Sequence, residues 1–96
     1  MLIRFRRTQL SMLPRPASEI GAEVTDDGLL RIWIHGSSGT RIAVTELSSH
    51  TPTDIQRWLI GRREFARDAT AWRLASQRAA TAISQWFGDA KEGIAE

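Results

Sequence analysis

The chain has 96 residues, 42 % of them apolar and 25 % charged, with 13 basic side chains against 11 acidic ones and no cysteine. This composition is that of one soluble globular domain, and it excludes a disulfide framework, a thiolate metal site, an iron–sulfur cluster and a cysteine nucleophile. No apolar run approaches the roughly 18 residues that a membrane span needs, so no membrane partner is expected.

The net charge of +2 conceals blocks of alternating sign. Residues 1–18 carry Arg4, Arg6, Arg7 and Arg15 and no acid, whereas residues 19–54 set Glu19, Glu23, Asp26, Asp27, Glu46 and Asp54 against Arg31 and Arg41. Residues 55–88 are basic again through six arginines, and the last eight residues are net acidic. Every base except Lys91 is arginine, whose planar fork grips carboxylates and phosphates through paired hydrogen bonds. Such blocks either neutralise one another within the fold or leave an arginine surface for an acidic partner. The basic first segment lacks the apolar core of a secretory signal, and a cytoplasmic location is expected.

Residues 1–18 read as a basic strand and then a proline-containing loop. Ile3 and Phe5 alternate with Arg4 and Arg6 at the period of a strand over 2–8, and Pro14 and Pro16 break regular structure beyond it. From Glu19, the apolar Ile20, Ala22 and Val24 alternate with Glu19, Gly21, Glu23 and Thr25. Asp26-Asp27-Gly28 marks a tight hairpin, after which Leu30, Ile32 and Ile34 alternate with Arg31, Trp33 and His35. A second turn at Gly36-Ser37-Ser38-Gly39 leads into a strand over 40–47 with Ile42 and Val44 facing the core and Arg41, Ala43 and Thr45 facing out. Residues 19–47 therefore form an antiparallel meander.

A helix then begins. Thr51 supplies a capping hydroxyl, Pro52 the first helical position and Asp54 an acid in the first turn. One helix from Pro52 to Phe87 would be unusually long, and Gly61 interrupts the pattern. The expectation is a short helix over 52–60, a long helix over 62–87 ended by Gly88, and a frayed tail over 88–96. On a helical projection Phe65, Ala69, Trp72, Ala79, Ile83, Trp86 and Phe87 share one side of the long helix, and Arg63, Arg67, Arg78 and Leu74 gather on the other. Such a helix would overhang its sheet, which favours a homodimer through it.

His35 and His50 stand at no metal-ligand spacing. The Gly36–Gly39 turn lacks the lysine and the strand-to-helix setting of a phosphate loop, and no nucleophile elbow is present. No enzyme activity, metal or cofactor is expected. What remains is binding, with two candidate surfaces: the outer sheet face bearing Arg31, Trp33, His35 and Arg41, and the helix side bearing Arg63, Arg67, Leu74 and Arg78. Arginine and tryptophan are enriched in protein hot spots, and arginine equally suits phosphate or guanine. In layout, three antiparallel strands and a helix over residues 19–60 resemble integrase amino-terminal and AP2-type domains. That resemblance implies a sheet lying in the DNA major groove, although Glu19, Glu23, Asp26 and Asp27 would repel phosphate there.

The sequence thus predicts a single α+β domain, a three- to four-stranded antiparallel β-meander packed on one face by C-terminal helices. Its expected function is a small protein–protein interaction module, an accessory subunit, adaptor or inhibitor of the kind mobile elements carry, with DNA or RNA binding as the alternative. Trp33 is expected to be exposed and Trp72 buried.

Overall fold

The structure is a computed structural model that describes residues 3–4, 8–9, 17–36, 38–66 and 68–95. Three antiparallel strands form its centre: β3 (Ala17–Val24), β4 (Leu30–Gly36) and β5 (Arg41–Leu47). Two short segments, β1 (Ile3–Arg4) and β2 (Thr8–Gln9), both pair antiparallel with the other edge of β3. The amino-terminal strand expected over 2–8 is thus present as two pieces, with residues 5–7 outside the described residues. Helix α1 (Pro52–Gly61), a 3₁₀ turn (Arg63–Phe65) and helix α2 (Ala69–Ala95) complete the α+β architecture.

Both hairpins close the same way. Thr25 donates to the Leu29 carbonyl at 2.9 Å and Gly28 to the Thr25 carbonyl at 2.9 Å, while Gly36 and Gly39 repeat the pattern with Thr40 and Gly36. Among the described loop residues the left-handed region is entered by the last one, Gly28 at φ +83° and Gly39 at φ +84°. These are three-residue loops built on a turn that ends in a left-handed glycine, which a side chain at Cβ would strain.

One face of the sheet carries the core. Ile20, Ala22, Val24, Leu30, Ile32 and Ile34 meet Ile55 and Leu59 of α1 and Trp72, Ala79, Ala80, Ile83 and Phe87 of α2. The last strand departs from expectation. A register shift at Ile42 sets Ala43 opposite Ile34, Thr45 opposite Ile32 and Leu47 opposite Leu30, so these three share the helix side. Val44 instead lies opposite Trp33 on the outer face and is 52 % exposed, not in the core. Because side chains alternate with a period of two, one inserted residue exchanges the two faces of everything beyond it.

The helices also differ from the expected pair. Thr51 caps α1, its hydroxyl accepting from the Asp54 amide at 3.3 Å. The α-helix ends at Gly61, and α2 starts after Asp68, whose carboxylate accepts from the Thr70 and Ala71 amides at 2.9 and 3.2 Å. Phe65 and Arg63 therefore belong to the 3₁₀ turn, not to the long helix. At the other end α2 runs through Gly88 to Ala95, because Ala90, Lys91, Glu92 and Ala95 are adequate helix formers and one glycine costs only about 1 kcal/mol. Gly88 does not enter the left-handed region and is not a cap.

The two helices are pinned where their ends meet. Buried Trp72 donates its indole N–H to the Leu59 carbonyl at 2.7 Å, a carbonyl in the last turn of α1 that also accepts the Arg62 amide at 3.0 Å. Urea denaturation should show a loss of about 3–5 kcal/mol for Trp72→Ala. Trp72→Phe, which keeps a ring but removes the donor, should forfeit at least the roughly 1 kcal/mol of the hydrogen bond. The Asp54 carboxyl is held below its ordinary value by hydrogen bonds from Ser49 and Thr51. Its folded value being the lower one, its stabilisation is present above the ordinary carboxylate value and disappears as pH falls through the folded value. Asp54→Asn should accordingly flatten the acid limb of a plot of Tm against pH.

Candidate functional site

The outer face of the sheet presents Glu19, Gly21 and Glu23 from β3, Arg31, Trp33 and His35 from β4, and Arg41, Val44 and Glu46 from β5. The registers bring the four expected residues Arg31, Trp33, His35 and Arg41 together, but mostly with one another and with acids of the same face. Arg31 spans three strands, with Nη1 3.0 Å from Glu23 Oε1 and Nη2 2.8 Å from Glu46 Oε1. Those two carboxylates, Glu46 foremost, hold the guanidinium above its ordinary pKa. His35 Nδ1 lies 2.7 Å from Glu19 Oε1. Arg41 reaches toward Glu23 at 3.9 Å and lays its guanidinium 4.5 Å from the centre of the Trp33 ring, a cation–π arrangement.

Trp33 is only 1 % exposed, contrary to the expectation of a free aromatic. The reason is visible in its neighbours. It lies across from Gly21, where an added Cβ would stand 2.5 Å from the ring, and Arg41 covers it from the next strand. A bare backbone on β3 thus admits the indole flat against the sheet. The charges paired on this face all come from residues 19–54, Glu23 and Glu46 against Arg31 and Arg41 and Glu19 against His35, so two of the acids that argue against phosphate contact, Glu19 and Glu23, are partners of its basic side chains.

On the helical side the expected residues are divided. Arg67 lies outside the described residues. Arg63, from the 3₁₀ turn, borders a shallow depression with Ile60, Ala69, Thr70 and Arg73. Leu74 and Arg78 lie one turn apart on the solvent side of α2, in a second depression with Gln77, Thr81, Ala82 and Gln85. Leu74 is 48 % exposed. No acid lies in ion-pairing distance of Arg63, Arg73 or Arg78 among the described residues. Arg73 was not among the expected residues, since its helical angle falls beside the apolar side rather than opposite it.

A third concavity had no sequence signal, because it joins the end of β5 to α1. Leu47, Ser48 and Ser49 form one wall and Asp54, Arg57, Trp58, Gly61 and Arg62 the other, enclosing about 460 Å³. His50 does not enter it, being half-buried with its ring 4.9 Å from that of Phe87. Among the described residues no three His, Asp or Glu side chains are grouped as metal ligands, and no helix is long and apolar enough to cross a membrane.

Gly21→Ala must push the Trp33 ring or the strand aside, and thermal or urea unfolding should record a loss of about 1–3 kcal/mol. No protein-family model matches the chain, and no curated protein or solved structure is significantly similar to it.

Proposed function

We propose that the chain is a non-enzymatic protein–protein interaction module, acting in the cytoplasm as an adaptor, accessory subunit or small inhibitor that occupies a partner's surface. The observation that carries this reading is the solvent side of α2. There Leu74, 48 % exposed, stands beside Arg78 in a shallow depression edged by Gln77, Thr81 and Gln85. An apolar contact flanked by an arginine that has no acidic partner among the described residues suits the exposed face of a partner helix or groove with carboxylates at its rim. The sheet arginines are a poorer choice, since Glu23 and Glu46 already hold Arg31 and Trp33 lies beneath Arg41.

A second copy is one partner this ridge would accept. At 27 residues α2 is about 40 Å long, whereas the longest strand, with 8 residues, spans about 27 Å. Nucleic acid is the competing reading, favoured by the lack of acidic partners at Arg63, Arg73 and Arg78 among the described residues. The two separate on salt, because phosphate neutralisation makes affinity fall steeply with ionic strength.

The test places a photo-crosslinking amino acid at position 74, or at position 27 as a control, in the cell that expresses the chain. Protein adducts from position 74 that disappear with Arg78→Glu are expected, including a homodimer if the ridge is self-complementary. Both positions are exposed, and such substitutions should shift stability by no more than about 0.5 kcal/mol. Equal adducts from both positions, or salt-sensitive binding of duplex or single-stranded nucleic acid with no protein adduct, would overturn the reading.

A further inference from the structure

We propose that the open edge of β5, with the cleft it forms against α1, is a docking groove for an extended acidic segment of a partner protein, which would add to the sheet as its next strand. This surface is separate from the α2 ridge and can succeed or fail without it.

β5 is last in the strand order and among the described residues pairs only with β4, whereas the opposite edge of the sheet, on β3, is covered by β1 and β2. A bare edge presents a row of amides and carbonyls ready to pair with another chain. Proteins blunt such edges with proline, lysine or a bulge. The segment Arg41–Leu47 has neither proline nor lysine, and its one irregularity, at Ile42, leaves Ala43 to Leu47 in regular register. No residue of β5 is fully buried, and Val44 is the most exposed large apolar side chain described.

The cleft supplies what a bare edge lacks, a reason to choose one strand over another. Side chains of an added strand would point alternately to the two faces of the sheet, and the one on the helix side beside Leu47, the β5 residue that lines the cleft, would meet the wall built by α1. That wall offers apolar surface from Trp58, opposite Leu47, and two guanidinium groups, Arg57 and Arg62. The Arg57 side chain is 75 % exposed and touches Asp54 only at 3.5 Å, and Arg62 reaches Glu64 at 3.7 Å. The Arg62 Nε is buried with no hydrogen-bond partner among the described residues, a donor whose desolvation is uncompensated and which a turn of the guanidinium toward the cleft would offer to an acceptor oxygen. Asp54 is occupied with the hydroxyls of Ser49 and Thr51. The complementary ligand is a strand carrying a β-branched or other apolar residue over Leu47 and Trp58 and a carboxylate within reach of the two arginines. Main-chain pairing then provides affinity, and the alternate side chains provide specificity.

The probe is a pair of fluorescein-labelled heptapeptide pools of alternating valine and threonine, one with two glutamates at either end and one with two lysines in their place. Anisotropy should show binding of the glutamate pool alone. The double variant Arg57→Glu, Arg62→Glu should weaken that binding about tenfold or more, while Leu74→Glu on the distant ridge leaves it unchanged. Hydrogen exchange on the complex should show added protection of amides within 43–47. Arg57 is a surface side chain and Arg62 is partly buried, so the double variant is read beside its melting curve, which should be unchanged, and beside the single variant Arg57→Glu, which should weaken binding in the same direction. Equal binding of the two pools, no binding of either, or a glutamate pool that binds the double variant as well as the parent chain would overturn the proposal. So would loss of peptide binding in Leu74→Glu with β5 unprotected.

Discussion

A carboxylate buried in a sheet dictates much of this molecule. Glu23 is 2 % exposed, and an ionised group removed from water to that degree is tolerable only beside opposite charge in good geometry. Arg31 supplies that charge at 3.0 Å, and the guanidinium of Arg41 adds to it from a strand further away. For both arginines to reach β3, the registers of three strands must agree. Arg41 must cross β4 over the face of Trp33 to do so, and Trp33 can lie flat beneath it only because β3 has glycine at position 21. Charge, aromatic packing and a missing Cβ meet in one arrangement on this face.

This arrangement bears directly on function. A row of arginine, tryptophan and histidine on one sheet face has the composition of a binding surface, yet here the same groups rigidify the sheet. Arginine recognises a carboxylate of its own chain by the same bidentate geometry that would recognise a partner's, so composition alone cannot separate the two uses. With the sheet face occupied, the available surface moves to the helical side and to the strand edge. There the guanidinium groups of Arg63, Arg73 and Arg78 have no acids beside them among the described residues, and Arg57 and Arg62 flank an open cleft.

The helices meet the sheet through a second constraint of similar kind. Trp72 fills the space between α1 and α2 and at the same time satisfies the Leu59 carbonyl. Because its N–H has a partner, a large indole can be buried without the penalty of an orphaned donor. The 3₁₀ turn and the extended Ala66 between the helices then fold back far enough for α2 to return over the sheet. Asp68 restarts helical geometry by capping the free amides.

The sequence by itself determined the class of fold, the order of its elements and the face of β3 and β4 that is buried. Those properties are written in local chemistry: alternation at period two, glycine after paired aspartates, and threonine before proline. It also determined that Ile20, Ile32, Ile34, Ile55, Trp72 and Ile83 would meet in one core. Tertiary structure alone decided the fate of Trp33, because burial there depends on Gly21 twelve positions earlier and Arg41 eight positions later. It decided the faces of β5, because both alternations in Arg41–Leu47 contain apolar residues and only the pairing with β4 chooses between them. It decided too where the helix restarts, because Gly61 and Asp68 each offer a plausible boundary and the packing of Trp72 on Leu59 selects the second. The cleft between β5 and α1 has no local signature at all, since its walls become neighbours only when the helix docks beside the sheet.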